Sequence, residues 1–165
     1  MNLKDAINVR QRQYGFAKRD TKKNLLVTNN VFVCSSWFGF DRENGLAFLC
    51  HFDGERSTEE IPKIVKELNE LAEAKLNIES YILNGSKVAN WVRTCAVRTK
   101  IMQYAEELSI CPHTPQDLGY STNNYRSRVI VSADWLDWLR EDYVVSGFRK
   151  VSKKSKAMSK AHGSA

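Results

Sequence analysis

The sequence predicts a mixed α+β fold, on three observations. Residues 45–52 make a strand that is apolar on both faces, residues 59–75 repeat apolar side chains at helical spacing, and strands and helices then alternate along the chain. Residues 9–17 read as a polar edge strand ending in Tyr14 and Phe16, followed by a turn from Asp20 to Asn24. Leu25 to Thr28 is a short strand, and after Asn29-Asn30 a second apolar stretch runs through Cys34 to Trp37-Phe38-Gly39-Phe40. Asp41 to Gly45 turns the chain. In the next strand Leu46, Phe48, Cys50 and Phe52 share one face and Ala47, Leu49 and His51 the other, so both faces must be covered.

Ile61, Ile64, Val65, Leu68, Leu71 and Ala72 form the apolar stripe of the first helix, opposite Lys and Glu. Ser57-Thr58-Glu59-Glu60 suggests a capping box at its start, with Pro62 favouring a start one or two residues later. A strand ending in Tyr81-Ile82-Leu83, a turn at Asn84-Gly85-Ser86 and a helix from about 87 to 109 follow. Gly85-Ser86-Lys87 lacks the upstream glycine of a phosphate loop. Residues 110–127 read as a loop, Val129-Ile130-Val131 as a strand, and Asp134 as the cap of a short helix carrying Trp135, Leu136, Trp138 and Leu139.

The 165 residues suffice for one domain with a real core. We expect that domain to span residues 1–147, followed by a basic disordered tail at 148–165. The formal charge of +6 sits at the ends. Residues 148–165 contribute +6 and residues 1–23 contribute +5, while residues 24–147 carry −5. An acidic body with basic ends argues against a nucleic-acid-binding fold, whose positive stripe belongs on the folded surface. There is no apolar run of membrane-spanning length and no signal-peptide core, so no membrane insertion and a cytoplasmic location are expected.

Four cysteines (Cys34, Cys50, Cys95 and Cys111) without a CxxC pair are expected as thiols rather than a disulfide framework. A zinc site from Cys34, Cys50, His51 and Cys95 can be written down, but nothing in the spacing favours it, and no metal or cofactor is expected. A nucleophilic cysteine needs a nearby base, and the base needs a third group to fix its tautomer. Cys34 with His51 is the leading pair. Cys34 precedes Ser35 and Ser36, whose backbone amides at a strand end could receive an oxyanion, and His51 lies where a core strand meets a loop. The competing reading is two buried residues on core strands. Cys111-Pro112-His113 is a weaker pair, because neighbours around a proline rarely aim at one another.

Tyr14-Gly15-Phe16-Ala17, Leu25-Leu26-Val27-Thr28, Cys34, and Gly45-Leu46-Ala47 running to His51 resemble, in order and spacing, the chemotaxis receptor deamidase family CheD. That family has a threonine six residues before its cysteine and a histidine seventeen after it, intervals reproduced by Thr28, Cys34 and His51. Looser matches follow at Ile82 to Ser86, at Asp117-Leu118-Gly119, and at Arg126 or Arg128 before the strand at 129–131, so the resemblance covers residues 10 to about 131. It implies an α/β/β/α layered sandwich with mixed sheets, shared with deamidating toxins of the cytotoxic necrotizing factor type. It also implies a glutamine deamidase with Cys34 as nucleophile, His51 as base and Thr28 orienting the base, acting without a cofactor. The implied partner is a glutamine-containing protein: a chemoreceptor or regulatory protein, or another target if the chain is a delivered effector. Phe32-Val33 stands where the family has Gly-Ser before the cysteine, and Tyr120 replaces the second glycine of the later turn. Bulky residues before Cys34 would narrow the approach to it, which leaves a catalytically inactive binding module as the second reading. A basic-tailed binder of anionic surfaces is the third.

Overall fold

The computed structural model describes residues 3–31, 34–83, 87–113, 126–134, 136–141 and 158–163. Its centre is an antiparallel hairpin of Ser35–Asp41 (β4) and Leu46–Phe52 (β5), in which every residue is buried. The turn between them uses Gly45 at φ +63°, a backbone region that glycine enters without a Cβ penalty. Asp41 ties the turn down by accepting hydrogen bonds from the Asn44 amide and side chain and from the Asn77 amide. Burial alone would raise the Asp41 carboxyl, yet these bonds hold it below its ordinary value.

Gln13–Lys18 (β2) pairs antiparallel with the other side of β5, and Glu79–Leu83 (β6) pairs antiparallel with β4. Ser159–Lys160 (β9) adds in parallel to β2, which gives the five-stranded order β6-β4-β5-β2-β9. A second, four-stranded sheet has the order β1-β3-β7-β8, from Ile7–Asn8, Leu26–Val31, Arg126–Val131 and Leu136–Glu141. β1 is parallel to β3 and the other pairs are antiparallel, so both sheets are mixed.

The two sheets face each other across one apolar layer. Phe38, Phe40, Ala47 and Leu49 meet Leu26, Val31, Val129 and Val131 there, with Ile7 at the side. The other face of the five-stranded sheet presents Trp37, Phe48, Cys50 and Phe52 to two helices, Ile61–Leu71 (α2) and Lys87–Glu107 (α3). Ile61, Ile64, Val65 and Leu68 supply the α2 stripe, and burying each is worth roughly 1.5–3 kcal/mol. The class is therefore α+β with two mixed sheets, and the described residues make three layers, sheet on sheet on helix. Among them no helix is long and apolar enough to cross a membrane.

Four expectations change. Residues 10–13 form a tight turn, closed by the Gln13 amide on the Arg10 carbonyl with Arg12 at φ +63°, and β2 starts only at its last residue, Gln13, rather than at residue 9. The capping box does not form. Glu55–Thr58 is instead a separate helical turn (α1), whose Ser57 and Thr58 hydroxyls donate to the Gly54 and Glu55 carbonyls, and α2 starts at Ile61 beside Pro62 without a side-chain cap. The segment after Asp134 is not a helix but the strand β8, in register from Val131↔Leu136 to Arg126↔Glu141. An apolar pattern of five or six residues cannot stabilise a lone helix, whereas β7 offers it a full ladder of backbone partners. Residues 158–163 are part of the fold rather than of a disordered tail, with Met158 and Ala161 buried beside β2. Phe32-Val33, Asn84-Gly85-Ser86, Asp117 to Tyr120, Trp135 and residues 148–157 lie outside the described residues.

Gly39, in the middle of β4, is where β6 comes closest. A Cβ there would come within 2.8 Å of the Ser80 Cα and would also strike the Glu79 carbonyl oxygen, backbone atoms that cannot swing away. Gly39→Ala should therefore lower stability by about 2–3 kcal/mol, read as a reduced urea midpoint with unchanged slope.

Candidate functional site

Thr28 and His51 lie far apart in the chain, on different sheets, and meet between them. On β3 the period of two puts Thr28 on the face of Leu26, and on β5 it puts His51 on the face of Ala47 and Leu49, so both side chains enter the layer between the sheets. Thr28 is fully buried and His51 is 3% exposed, and the Thr28 hydroxyl lies 2.7 Å from His51 Nδ1. When Nδ1 carries the proton and donates to Thr28 Oγ1, Nε2 is left with its lone pair. Nε2 is enclosed and has no hydrogen-bond partner among the described residues. A buried polar atom without a partner costs about 1–3 kcal/mol, a state that Ser35 Oγ, Trp37 Nε1 and Ser80 Oγ share among the described residues.

Burial pushes the His51 pKa down to about 4, so the ring is neutral near pH 7 and able to take a proton. Its backbone is held as well. The Arg12 amide donates to the His51 carbonyl at 2.8 Å, and the Arg12 guanidinium lies 3.7 Å from the buried Asp53 carboxylate. Arg12 was not legible as a site neighbour, because its turn carries none of the glycine or asparagine that ordinarily marks a positive φ.

Cys34 is buried, at 6% exposure, immediately before β4. Ser36 pairs directly with His51, and Cys34 lies two residues before it, just outside the β4–β5 ladder, which begins at Ser35↔Phe52. Ser35 and Ser36 differ. The Ser36 hydroxyl donates to the Cys50 carbonyl at 2.8 Å, and its backbone is flanked by β5 and β6, so its amide lies inside the ladder. Ser35 sits on the opposite face of β4, with its hydroxyl enclosed and without a partner among the described residues.

The alternative groupings separate. Cys50 belongs to the helix-facing layer and His51 to the layer between sheets, so the two cannot ligate one ion, and burial raises the Cys50 thiol well above its ordinary value. Among the described residues no three His, Cys, Asp or Glu side chains group as metal ligands. Cys111 is exposed, while His113 is used by the sheet. Its backbone bridges Ser80 and Ile82, and its ring lies 5.3 Å from that of Tyr81. The loose match at Arg128 has a structural partner, since its Nε donates to Asn29 Oδ1 at 2.6 Å. No protein-family model matches the chain, and no curated protein matches its sequence.

The buried imidazole sets a pH dependence. His51 takes up its proton near pH 4 in the folded chain but near its ordinary value of 6.5 when unfolded, so between these values the unfolded state binds more protons. Its contribution to stability is complete above pH 6.5 and is lost as pH falls to 4, amounting to about 3 kcal/mol. The wild-type urea midpoint should drop over that window, and His51→Gln should remove most of the His51-linked part of the drop. Thr28→Val keeps the shape but leaves Nδ1 unpartnered, and should cost about 1–3 kcal/mol by the same measurement at pH 7.

Proposed function

We propose that the chain is a cysteine-dependent protein-glutamine deamidase, with Cys34 as nucleophile, His51 as general base and Thr28 orienting the base. The observation that carries this reading is the buried Thr28–His51 hydrogen bond, which fixes the ring and leaves Nε2 without a partner among the described residues, with Cys34 buried two residues before the Ser36 that pairs with His51. A neutral imidazole held by its far nitrogen is what a thiol needs as proton acceptor. The three residues also keep the intervals of the CheD family. Burial of Val27 and Ile130 on the far face of the four-stranded sheet is what the second helical layer of an α/β/β/α sandwich would produce.

In the reaction, His51 Nε2 takes the proton of the Cys34 thiol, and the thiolate attacks the carboxamide carbon of a glutamine side chain. Backbone amides at the start of β4 hold the oxyanion. The imidazolium returns its proton to the departing nitrogen, the C–N bond breaks, and ammonia leaves a thioester on Cys34. His51 then deprotonates a water that attacks the thioester, and collapse breaks the C–S bond to give glutamate and the restored thiol. Thr28 supplies orientation without charge. The substrate is a protein, a chemoreceptor or the target of a delivered effector, met in the cytoplasm.

The near-complete burial of Cys34 and His51 favours a second reading, an inactive relative that binds partners. Incubation with glutamine-containing proteins, including chemoreceptor signalling domains, separates the two. Deamidation adds about 1 Da per site by mass spectrometry and should fall at least 100-fold in Cys34→Ala and in His51→Ala, and about tenfold in Thr28→Val. Activity that survives both of the first two substitutions would sink the mechanism. Alkylation of Cys34 no faster in the wild type than in His51→Ala would favour the inactive relative.

A further inference from the structure

On the helix-facing side of the five-stranded sheet, away from His51, three side chains converge on one lysine. The Tyr14 hydroxyl donates to Glu67 Oε1 at 2.9 Å, which fixes the carboxylate and leaves Oε2 turned to Lys160 Nζ at 3.0 Å. The same ammonium stands 5.1 Å from the centre of the Phe16 ring, inside the range of a cation–π contact. Glu67 is 22% exposed, and although burial would raise its carboxyl, the bonds from Lys160 and Tyr14 hold it below its ordinary value. Carboxylate, aromatic face and an anchoring phenol together make a receptor for a lysine side chain.

The lysine arrives on a strand. The Ser159 and Ala161 amides donate to the Arg12 and Tyr14 carbonyls at 2.9 and 2.7 Å, so the segment docks by extending the sheet at the β2 edge. Met158 and Ala161 are buried to either side. Only Gln13 and Tyr14 of β2 are paired by this strand. Backbone bonds to a sheet edge, a charged receptor for one side chain and small apolar seats on both sides are the elements of strand-addition peptide recognition.

We propose that the β2 edge with Tyr14, Phe16 and Glu67 is a docking site for an extended lysine-bearing segment of a partner protein, occupied in this chain by its own residues 158–161 as an exchangeable internal ligand. The pattern it reads is an apolar residue, a small polar residue, lysine and a small residue. Loss of the lysine charge empties it. An internal ligand is tethered to its site and competes without dissociating from the molecule, so an external segment binds well only when the internal one is released.

The test uses the full-length chain and a synthetic peptide matching residues 157–163. In Lys160→Glu the internal strand should be repelled by Glu67, and backbone amide NMR signals of residues 12–16 should move. Titration with the peptide should return them toward wild-type positions, with affinity at least tenfold weaker for the same peptide acetylated at its lysine. In the wild type, excess peptide should speed hydrogen exchange at the Ser159 and Ala161 amides, an arm that needs no variant. Equal binding of lysine and acetyl-lysine peptides, or no change at residues 12–16 and no faster exchange at 159 and 161, overturns the proposal. So does a concentration-dependent dimer of Lys160→Glu that the peptide does not dissociate. None of these readouts depends on deamidase activity.

Discussion

Strand β5 has no solvent-facing side, and most of the molecule is arranged to cover it. Its residues Phe48, Cys50 and Phe52 press on α2 and α3, and its odd-numbered residues from Ala47 to His51 face the four-stranded sheet. A strand buried on both faces must pair on both edges, and β4 and β2 supply those ladders along its full length. Any polar side chain on β5 must find its partner inside the protein, since water cannot reach it. His51 is the residue on which that condition falls, and Thr28 on the opposite sheet meets it at one nitrogen only.

A hydroxyl is a different partner from a carboxylate. It fixes the imidazole by hydrogen bonding but adds no charge to hold a proton on the ring, so burial dominates and His51 stays neutral. The ring therefore carries no second proton at neutral pH and is a liability in acid. The same contact also joins the two sheets by a directional bond inside a layer of non-directional apolar packing. Sliding one sheet against the other would break it, so the bond selects one register of the stack.

The turn at Arg12 links this interior to the chain's far end. Its amide donates to the His51 carbonyl and its carbonyl accepts from Ser159, so one residue in a left-handed conformation joins β5 to β9. The two faces of the five-stranded sheet thus carry different chemistry. The inner face holds the histidine in an apolar layer, and the outer face at β2 holds a paired carboxylate and ammonium near the surface. They share the backbone of one sheet.

Much of the fold could be read from periodicity. The apolar run of residues 46–52 requires burial on both faces wherever it sits, and the stripe from Ile61 to Leu68 requires one covered helix face, so these elements formed as expected. Burial of His51 follows from the same run. The apolar spacing at 136–141 suits a helix locally, while β7, the strand just before it in the chain, offers a full ladder of backbone bonds. Residues 158–161 looked like a solvated basic tail because one lysine among many gives no sign of its carboxylate. Composition and spacing by themselves determined that residues 46–52 and the stripe from Ile61 to Leu68 are buried, since these patterns depend on near neighbours in the chain. Only the tertiary structure decided that Thr28 meets His51, that Ser35 faces away from it, and that Lys160 meets Glu67, because each depends on which distant strands lie side by side.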